Sequence, residues 1–389
     1  MSFKQDAHKL LMIPGPIEVS DEVLYANAHP SVAHVAPDFI AVFSEALKLF
    51  REVLRAPNGQ PIFISGSGTL GWDQVAANLT EAGDEVLVLH TGYFADGFAD
   101  ALETYGAKPT QIKAPVGARH TLDEVRAALE GKKYKAITIT HVDTSTGVLH
   151  DVQGIAKVVK EVSPDTLIIV DGVCSVASEP IEFDAWGLDV VLTGSQKGLG
   201  CPPGLSLLVA SPRAIETLEK RSSPIPSYYA SWKRWLPVMK SIENSTPAYF
   251  ATPPTNLIYA VHASLKNIIE GSVSLDERFE LHRKGSEEIK KGIAELGLEQ
   301  LVTPETQKQD GAAHTMTAVL YPSGFGASDI LPRLGQRGIV CGGGLHKEVK
   351  DKYFRIGHMG ISVTDPSRGD LRRVLDALRE VLAEIGYKA

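Results

Sequence analysis

An α/β fold built on a mostly parallel sheet is predicted by three observations. Short β-rich apolar runs alternate with amphipathic stretches from about residue 60 onward, which is the pattern of βαβ units. Several of those runs deliver a glycine, an acid or a lysine at their ends, where open sheets of this class hold ligands. Beyond about residue 310 the texture changes to two strands and two helices, a smaller C-terminal α+β unit.

The elements follow in order. Strands are expected at 61–65, 85–90, 135–141, 166–171, 189–193 and 205–210. Between them, 68–79, 94–105, 121–129 and 152–162 carry apolar residues three and four apart and read as helices. Thr121 and Glu124 form a capping-box signature. After Pro212 a helix is expected at 213–220, then a stretch rich in Ser, Pro, Tyr and Trp at 222–237, then long helices at 256–269 and 275–296. Residues 303–311 look like a linker, and 314–321, 328–337, 353–356 and 366–385 read as strand, helix, strand and helix. The resulting division is an N-terminal arm (1–20), a large domain (21–265) and a small domain (266–389), without internal repeats.

Composition narrows the function. The 389 residues carry 39 Lys+Arg and 47 Asp+Glu, a net charge of -8, and no basic run; nucleic-acid binding relies on clustered cations, so that partner is not expected. Cys174, Cys201 and Cys341 are widely spaced and form no C-x-x-C pair, which is neither a disulfide framework nor a zinc motif. The 12 histidines include no H-E-x-x-H, so no metal is expected. The longest uncharged run, 244–265, is broken by Pro247, Pro253 and Pro254 and cannot span a bilayer. No signal h-region and no terminal S-K-L are present, and the cytoplasm is the expected compartment.

Three segments carry chemistry. Ile62-Phe63-Ile64-Ser65-Gly66-Ser67-Gly68-Thr69-Leu70-Gly71 runs from a strand through glycines into a helix. It fits G-x-G-x-x-G at Gly66, Gly68 and Gly71, so a dinucleotide site in a dehydrogenase is one reading. That reading needs an acid after the next strand, which ends instead in His90-Thr91-Gly92. A phosphate held by helix N–H groups and the Ser67 and Thr69 hydroxyls is the second reading, and a structural glycine turn the third. Leu167-Ile168-Ile169-Val170-Asp171 delivers an acid at the end of a buried strand; a carboxylate there needs a partner, or it simply caps the next turn. Val190-Val191-Leu192-Thr193-Gly194-Ser195-Gln196-Lys197 is followed by Gly198, Gly200, Pro202, Pro203 and Gly204 with no other charge. A lysine so surrounded is desolvated and suited to a Schiff base. An anion cradle, an acid and, 26 residues on, a lysine together meet the demands of pyridoxal 5′-phosphate.

These segments, together with Thr140-His141-Val142-Asp143-Thr144-Ser145-Thr146-Gly147-Val148, Pro202-Pro203-Gly204 and Phe354-Arg355-Ile356-Gly357, resemble the class V aminotransferases, and among them the alanine-glyoxylate and serine-glyoxylate (serine-pyruvate) members. The likeness runs from Pro14-Gly15-Pro16 to the C-terminal helix. It implies a fold type I pyridoxal-phosphate transferase with a seven-stranded sheet, acting by ping-pong transamination between a small amino acid and an oxo acid. Lys197 would carry the cofactor and shuttle the proton, and Asp171 would pair with the pyridinium. Thr144 would reach the ring oxygen, Phe94 would stack on the ring in place of the family's usual tryptophan, with Tyr93 beside it, and Gln196, Ser67, Gly68 and Thr69 would hold the phosphate. Tyr249 and Thr252 would reach the phosphate of a neighbouring subunit, implying a homodimer with shared sites. Arg355 would clamp the substrate carboxylate, with Gly15 at the substrate site. The family's Gly-His-Arg-Ser-Pro-Glu-Phe is here Val32-Ala33-His34-Val35-Ala36-Pro37-Asp38-Phe39, so its arginine is missing. A cysteine desulfurase is disfavoured because Gln196 stands where those relatives carry histidine. The run Cys341-Gly342-Gly343-Gly344 reads as a mobile loop or a turn needing positive φ.

Overall fold

The computed structural model describes residues 4–388. Its strands in chain order are β1 (Leu10–Met12), β2 (Gln60–Ser65), β3 (Glu85–His90), β4 (Lys108–Lys113), β5 (Ala136–Thr140), β6 (Leu167–Asp171), β7 (Val190–Gly194), β8 (Leu205–Ala210), β9 (Met316–Leu320), β10 (Ile339–Gly343) and β11 (Tyr353–Gly357). Seven of them form one sheet in the order β2-β8-β7-β6-β5-β3-β4. The pairs from β4 through β3, β5 and β6 to β7 are parallel, and β8 lies antiparallel to both β7 and β2. Strands β5, β6 and β7 are buried at every residue, as continuous apolar runs covered by helices on both faces must be.

The second sheet, β1-β10-β11-β9, has its own apolar core around Ile289, Val319, Phe354, Val374 and Leu378. Leu10–Met12, expected in a separate arm, pairs in parallel with Ile339, Val340 and Cys341 and belongs to this sheet. The helix Thr255–Ile269 runs unbroken through residue 265, where the sequence puts a domain boundary, and Ile268 packs in the core of the large sheet.

Several elements differ from the sequence reading. The glycine run is not a loop: Cys341, Gly342 and Gly343 lie on β10, with Gly342 opposite Arg355. The expected linker contains a helix, Pro304–Lys308, capped by the Thr303 hydroxyl. The helix Trp232–Glu243 continues through Pro237, inside the stretch whose composition suggested irregular chain. An 18-residue helix, Pro37–Leu54, buries Phe39, Phe43, Leu47, Phe50 and Leu54 beside the large sheet. β4 (KPTQIK) is polar because it closes an edge, paired with β3 alone. The capping box at Thr121 and Glu124 forms as read. No helix among the described residues is long and apolar enough to cross a membrane.

Candidate active site

The parallel strands end side by side, and the candidate residues sit on that edge. Asp171 is the last residue of β6, Lys197 lies three residues past β7, and Thr144 follows β5 by four. Asp171 is 3 % exposed and Lys197 8 %, so both charges lie where water cannot screen them. Burial pushes the Asp171 carboxyl up to about 6 even though the Val173 N–H and the Trp72 indole hold it down. Burial also lowers Lys197, opposed by Cys174 and Asp171 and assisted by the Arg355 charge, so its amine sheds a proton more readily than a surface lysine.

Two hydrogen bonds fix the Asp171 carboxylate: Val173 N–H donates to Oδ1 (3.0 Å) and Trp72 Nε1–H to Oδ2 (2.9 Å). Trp72 is held in turn, stacked on Phe98 (5.7 Å between ring centres) and edge-on to Phe94 (6.4 Å). A Cβ on Gly97 would stand 2.8 Å from the indole. Phe94 is thus part of the support for the acid, while Tyr93 is 43 % exposed. Trp72 was invisible to sequence reasoning, because an indole on the buried face of a helix reads as core.

Lys197 Nζ donates to the carbonyl of Pro14. Gly15, with φ +97°, lies so close that a Cβ there would be 2.3 Å from Lys197 Cδ. The chain reaches this point by crossing β11, where a Cβ on Gly357 would meet the Ile13 carbonyl oxygen at 2.1 Å.

The residues fit a phosphorylated pyridine aldehyde. The helix Thr69–Leu79 begins at Gly68 with no side-chain cap; Leu70 and Gly71 N–H turn back to the Ser67 and Gly68 carbonyls (3.0 and 2.8 Å), which leaves the Gly68 and Thr69 N–H groups to receive an anion. Ser67 and Thr69 are exposed beside it, whereas Gly68 is buried. The Gln196 Oε1 is buried without a hydrogen-bond partner, and a Cβ on Gly194 would crowd both it (2.7 Å) and the Gly68 nitrogen (3.3 Å). That amide, turned about its last bond, presents N–H to the same anion.

Arg355 completes the cleft from the small sheet. Its Nε donates to the Gly343 carbonyl (2.7 Å) and Nη1 to the Thr144 carbonyl (3.1 Å). The Thr144 side chain is buried, and its hydroxyl forms no hydrogen bond among the described residues. Tyr353, also unforeseen, accepts from the Leu345 and His346 N–H groups (both 2.9 Å) and donates to the Ser145 carbonyl, tying the segment after β10 to the loop that carries Thr144.

Tyr249 and Thr252 are not joined to these groups. Tyr249 is 62 % exposed and leans on His34 at 4.9 Å. The dehydrogenase reading fails on topology: β2, which leads into the glycines, is antiparallel to its only neighbour β8, whereas a dinucleotide fingerprint opens a parallel βαβ unit. Cys341 cannot serve as a nucleophile on a mobile loop, since it is held on β10 and burial pushes its thiol up to about 12. No metal-binding group of three or more His, Cys, Asp or Glu side chains occurs among the described residues.

Residues 18–357 match the class-V aminotransferase family profile. The chain is 39 % identical to alanine–glyoxylate aminotransferase 1 of Saccharomyces cerevisiae, over 96 % of this chain and 97 % of that one. It is 30 % identical to the L-aspartate–glyoxylate aminotransferase of Paracoccus denitrificans, over 91 % and 87 %. The crystal structure of an alanine–glyoxylate aminotransferase from Nostoc sp. superposes with a TM-score of 0.89 at 32 % identity, covering 97 % of this chain and 96 % of that one.

Proposed function

Because this chain belongs to the class-V aminotransferase family, and so is an aminotransferase, we propose that it transfers the amino group of alanine to glyoxylate, giving pyruvate and glycine. The observation that carries this reading is the meeting of a buried lysine with a single guanidinium: Arg355 is the arginine whose charge reaches Lys197. One clamp suits a substrate with one carboxylate. Cys174 and Thr315, 3.6 Å apart, offer no cation to a second one. Serine is the other donor that fits this description, and aspartate, the donor named for the Paracoccus relative, fits it least.

Pyridoxal 5′-phosphate, when bound, supplies the aldehyde that carries the amino group and the electron sink that labilises the α-hydrogen. The chain's own groups do the rest. Lys197 Nζ, its proton affinity lowered by burial, takes the proton from the α-carbon of the donor amino acid and, in the second half-reaction, delivers one to the α-carbon of the amino acid formed from the oxo acid. Asp171, kept ionised by Trp72 and Val173, opposes a protonated ring nitrogen. Gln196, Gly68, Ser67 and Thr69 would hold the phosphate, Thr144 would reach the ring oxygen, and Phe94, edge-on to Trp72, would lie beside the ring. Arg355, already oriented by two backbone carbonyls, receives the carboxylate of amino acid and oxo acid alike through its remaining N–H groups. Tyr249, exposed in one chain, and Thr252 complete the phosphate site of a second copy in a homodimer.

A panel of amino donors assayed with glyoxylate and with pyruvate tests the assignment. Alanine with glyoxylate should give the highest kcat/KM. A preference for aspartate would overturn the single-carboxylate reading, and a preference for serine would move the assignment to the serine–glyoxylate reaction.

A further inference from the structure

A second cavity, of about 530 Å³, lies between the two units and away from the cleft around Lys197. The seven-stranded unit contributes His141, Glu179 and Trp186 to it, and the C-terminal part of the chain Phe279, Asp310 and His314. Such a volume is in the range of small-molecule sites.

The cavity has a polar floor with an unmet requirement. His141 is 4 % exposed, and its Nδ1 has no hydrogen-bond partner. Burial pulls this imidazole down to about 4, so it is neutral at physiological pH and one ring nitrogen can accept a proton donor. Beside it the Glu179 carboxylate, 2 % exposed, accepts from the His314 N–H (2.7 Å) and Nδ1 (2.9 Å), leaving lone pairs to spare. Trp186 and Phe279 supply an apolar wall.

The charge of the lining selects the ligand. Five carboxylates but only two guanidiniums border the cavity. Arg119 is held by the carbonyls of Leu149 and Gln309 and Arg283 by Glu280 and Glu287, while Asp276 is paired with Arg55; that leaves Asp151, Glu179 and Asp310 without a guanidinium partner, the last two beside the His314 imidazole. We propose that this cavity binds a small protonated amine with an apolar body, the ammonium at Glu179 and His141 and the hydrocarbon against Trp186 and Phe279. Such a ligand bridges the two units. It also adjoins the strand ends that build the active site, since the backbone N–H of His141 donates to the backbone carbonyl of Asp171 at 3.0 Å.

Calorimetric titration of the holoenzyme with N,N-dimethylphenethylamine tests this. That tertiary amine is protonated near neutral pH and cannot form a Schiff base with pyridoxal phosphate. 2-Phenylethanol and 3-phenylpropanoate serve as the neutral and anionic counterparts. The expected result is one saturable amine site per chain, with the two counterparts at least about tenfold weaker. Glu179→Gln should weaken the amine about tenfold, and Phe279→Trp, which fills the cavity from the helix Leu275–Glu295, should abolish binding without changing the visible spectrum of the bound cofactor. The proposal is overturned if the amine gives no saturable heat, if it binds no better than the alcohol and the acid, or if either folded variant binds it as the parent does. Should Glu179→Gln fail to fold, Phe279→Trp and the probe series still decide.

Discussion

The indole of Trp72 donates to the carboxylate of Asp171 at 2.9 Å, with both side chains buried. The acid proposed to face the cofactor is therefore set by a residue on a different element, itself fixed by Phe98 and Phe94.

Replacing Trp72 by phenylalanine keeps an aromatic ring and removes the donor. A hydrogen bond to a charged group contributes about 1.5–3 kcal/mol, and its loss should raise the Asp171 carboxyl further above about 6. Cofactor affinity measured near neutral pH should fall about tenfold or more, with the deficit shrinking as pH rises and the acid ionises again. A deficit independent of pH would assign Trp72 to packing alone.

Gly15→Ala places a methyl group within 2.3 Å of Lys197 at a φ of +97°. The lysine must move, so visible absorbance of the bound cofactor and kcat should both drop sharply, while the far-ultraviolet circular dichroism stays that of a folded chain. Parent-like absorbance would show that Gly15 does not confine the amine.

Arg355→Lys keeps the charge and loses the planar fork together with its two backbone anchors. KM should rise about tenfold or more for both the amino acid and the oxo acid, because each presents the same carboxylate. An effect on one substrate only would rule out a shared clamp.

Inactive Lys197→Ala and Tyr249→Ala chains, mixed and reassociated, should regain activity. A hybrid dimer holds one site with both residues intact if Tyr249 serves the neighbouring subunit. Mixtures no more active than their parts would place Tyr249 in its own chain's site.

Burial holds four imidazoles neutral: His141 at about 4, and His150, His282 and His358 at about 3, against 6.5 when unfolded. The unfolded chain binds their protons first, so their contribution to stability is complete above about pH 6.5 and drains away as pH falls toward 4 and 3. Each group costs about 1.4 kcal/mol per pH unit across that window. The raised Asp171, between its ordinary value and about 6, works in the opposite direction, as do the raised Asp143 carboxyl and the raised His8 and His314 imidazoles; against them stand the four imidazoles and His120, which burial also lowers. Thermal scans should therefore show Tm dropping steeply between about pH 6.5 and 5; a flat profile would contradict the neutral cluster.

The parts of the site legible in the sequence are those at the ends of fully buried strands. Asp171 announces itself because a charge directly after four apolar residues has few bland explanations, and Lys197 because it stands alone as a charge among small residues and prolines just past β7. Trp72, 99 residues from its partner, and Tyr353, 208 residues from Ser145, are set by packing between elements, which local pattern does not encode. The glycines of β10 misled for a related reason. Glycine marks freedom as well as close approach, and here a Cβ on Gly342 would stand 3.2 Å from the Arg355 guanidinium.

The pairing of Leu10–Met12 with Ile339–Cys341 has a bearing on biosynthesis. On the ribosome, residues 10–12 emerge long before residues 339–341, the strand on which they dock. Pro14 and Gly15, which close over Lys197, hang from that late-formed ladder. The large core can assemble while translation continues, but the cleft around Lys197 gains its last wall only after β10 has been made.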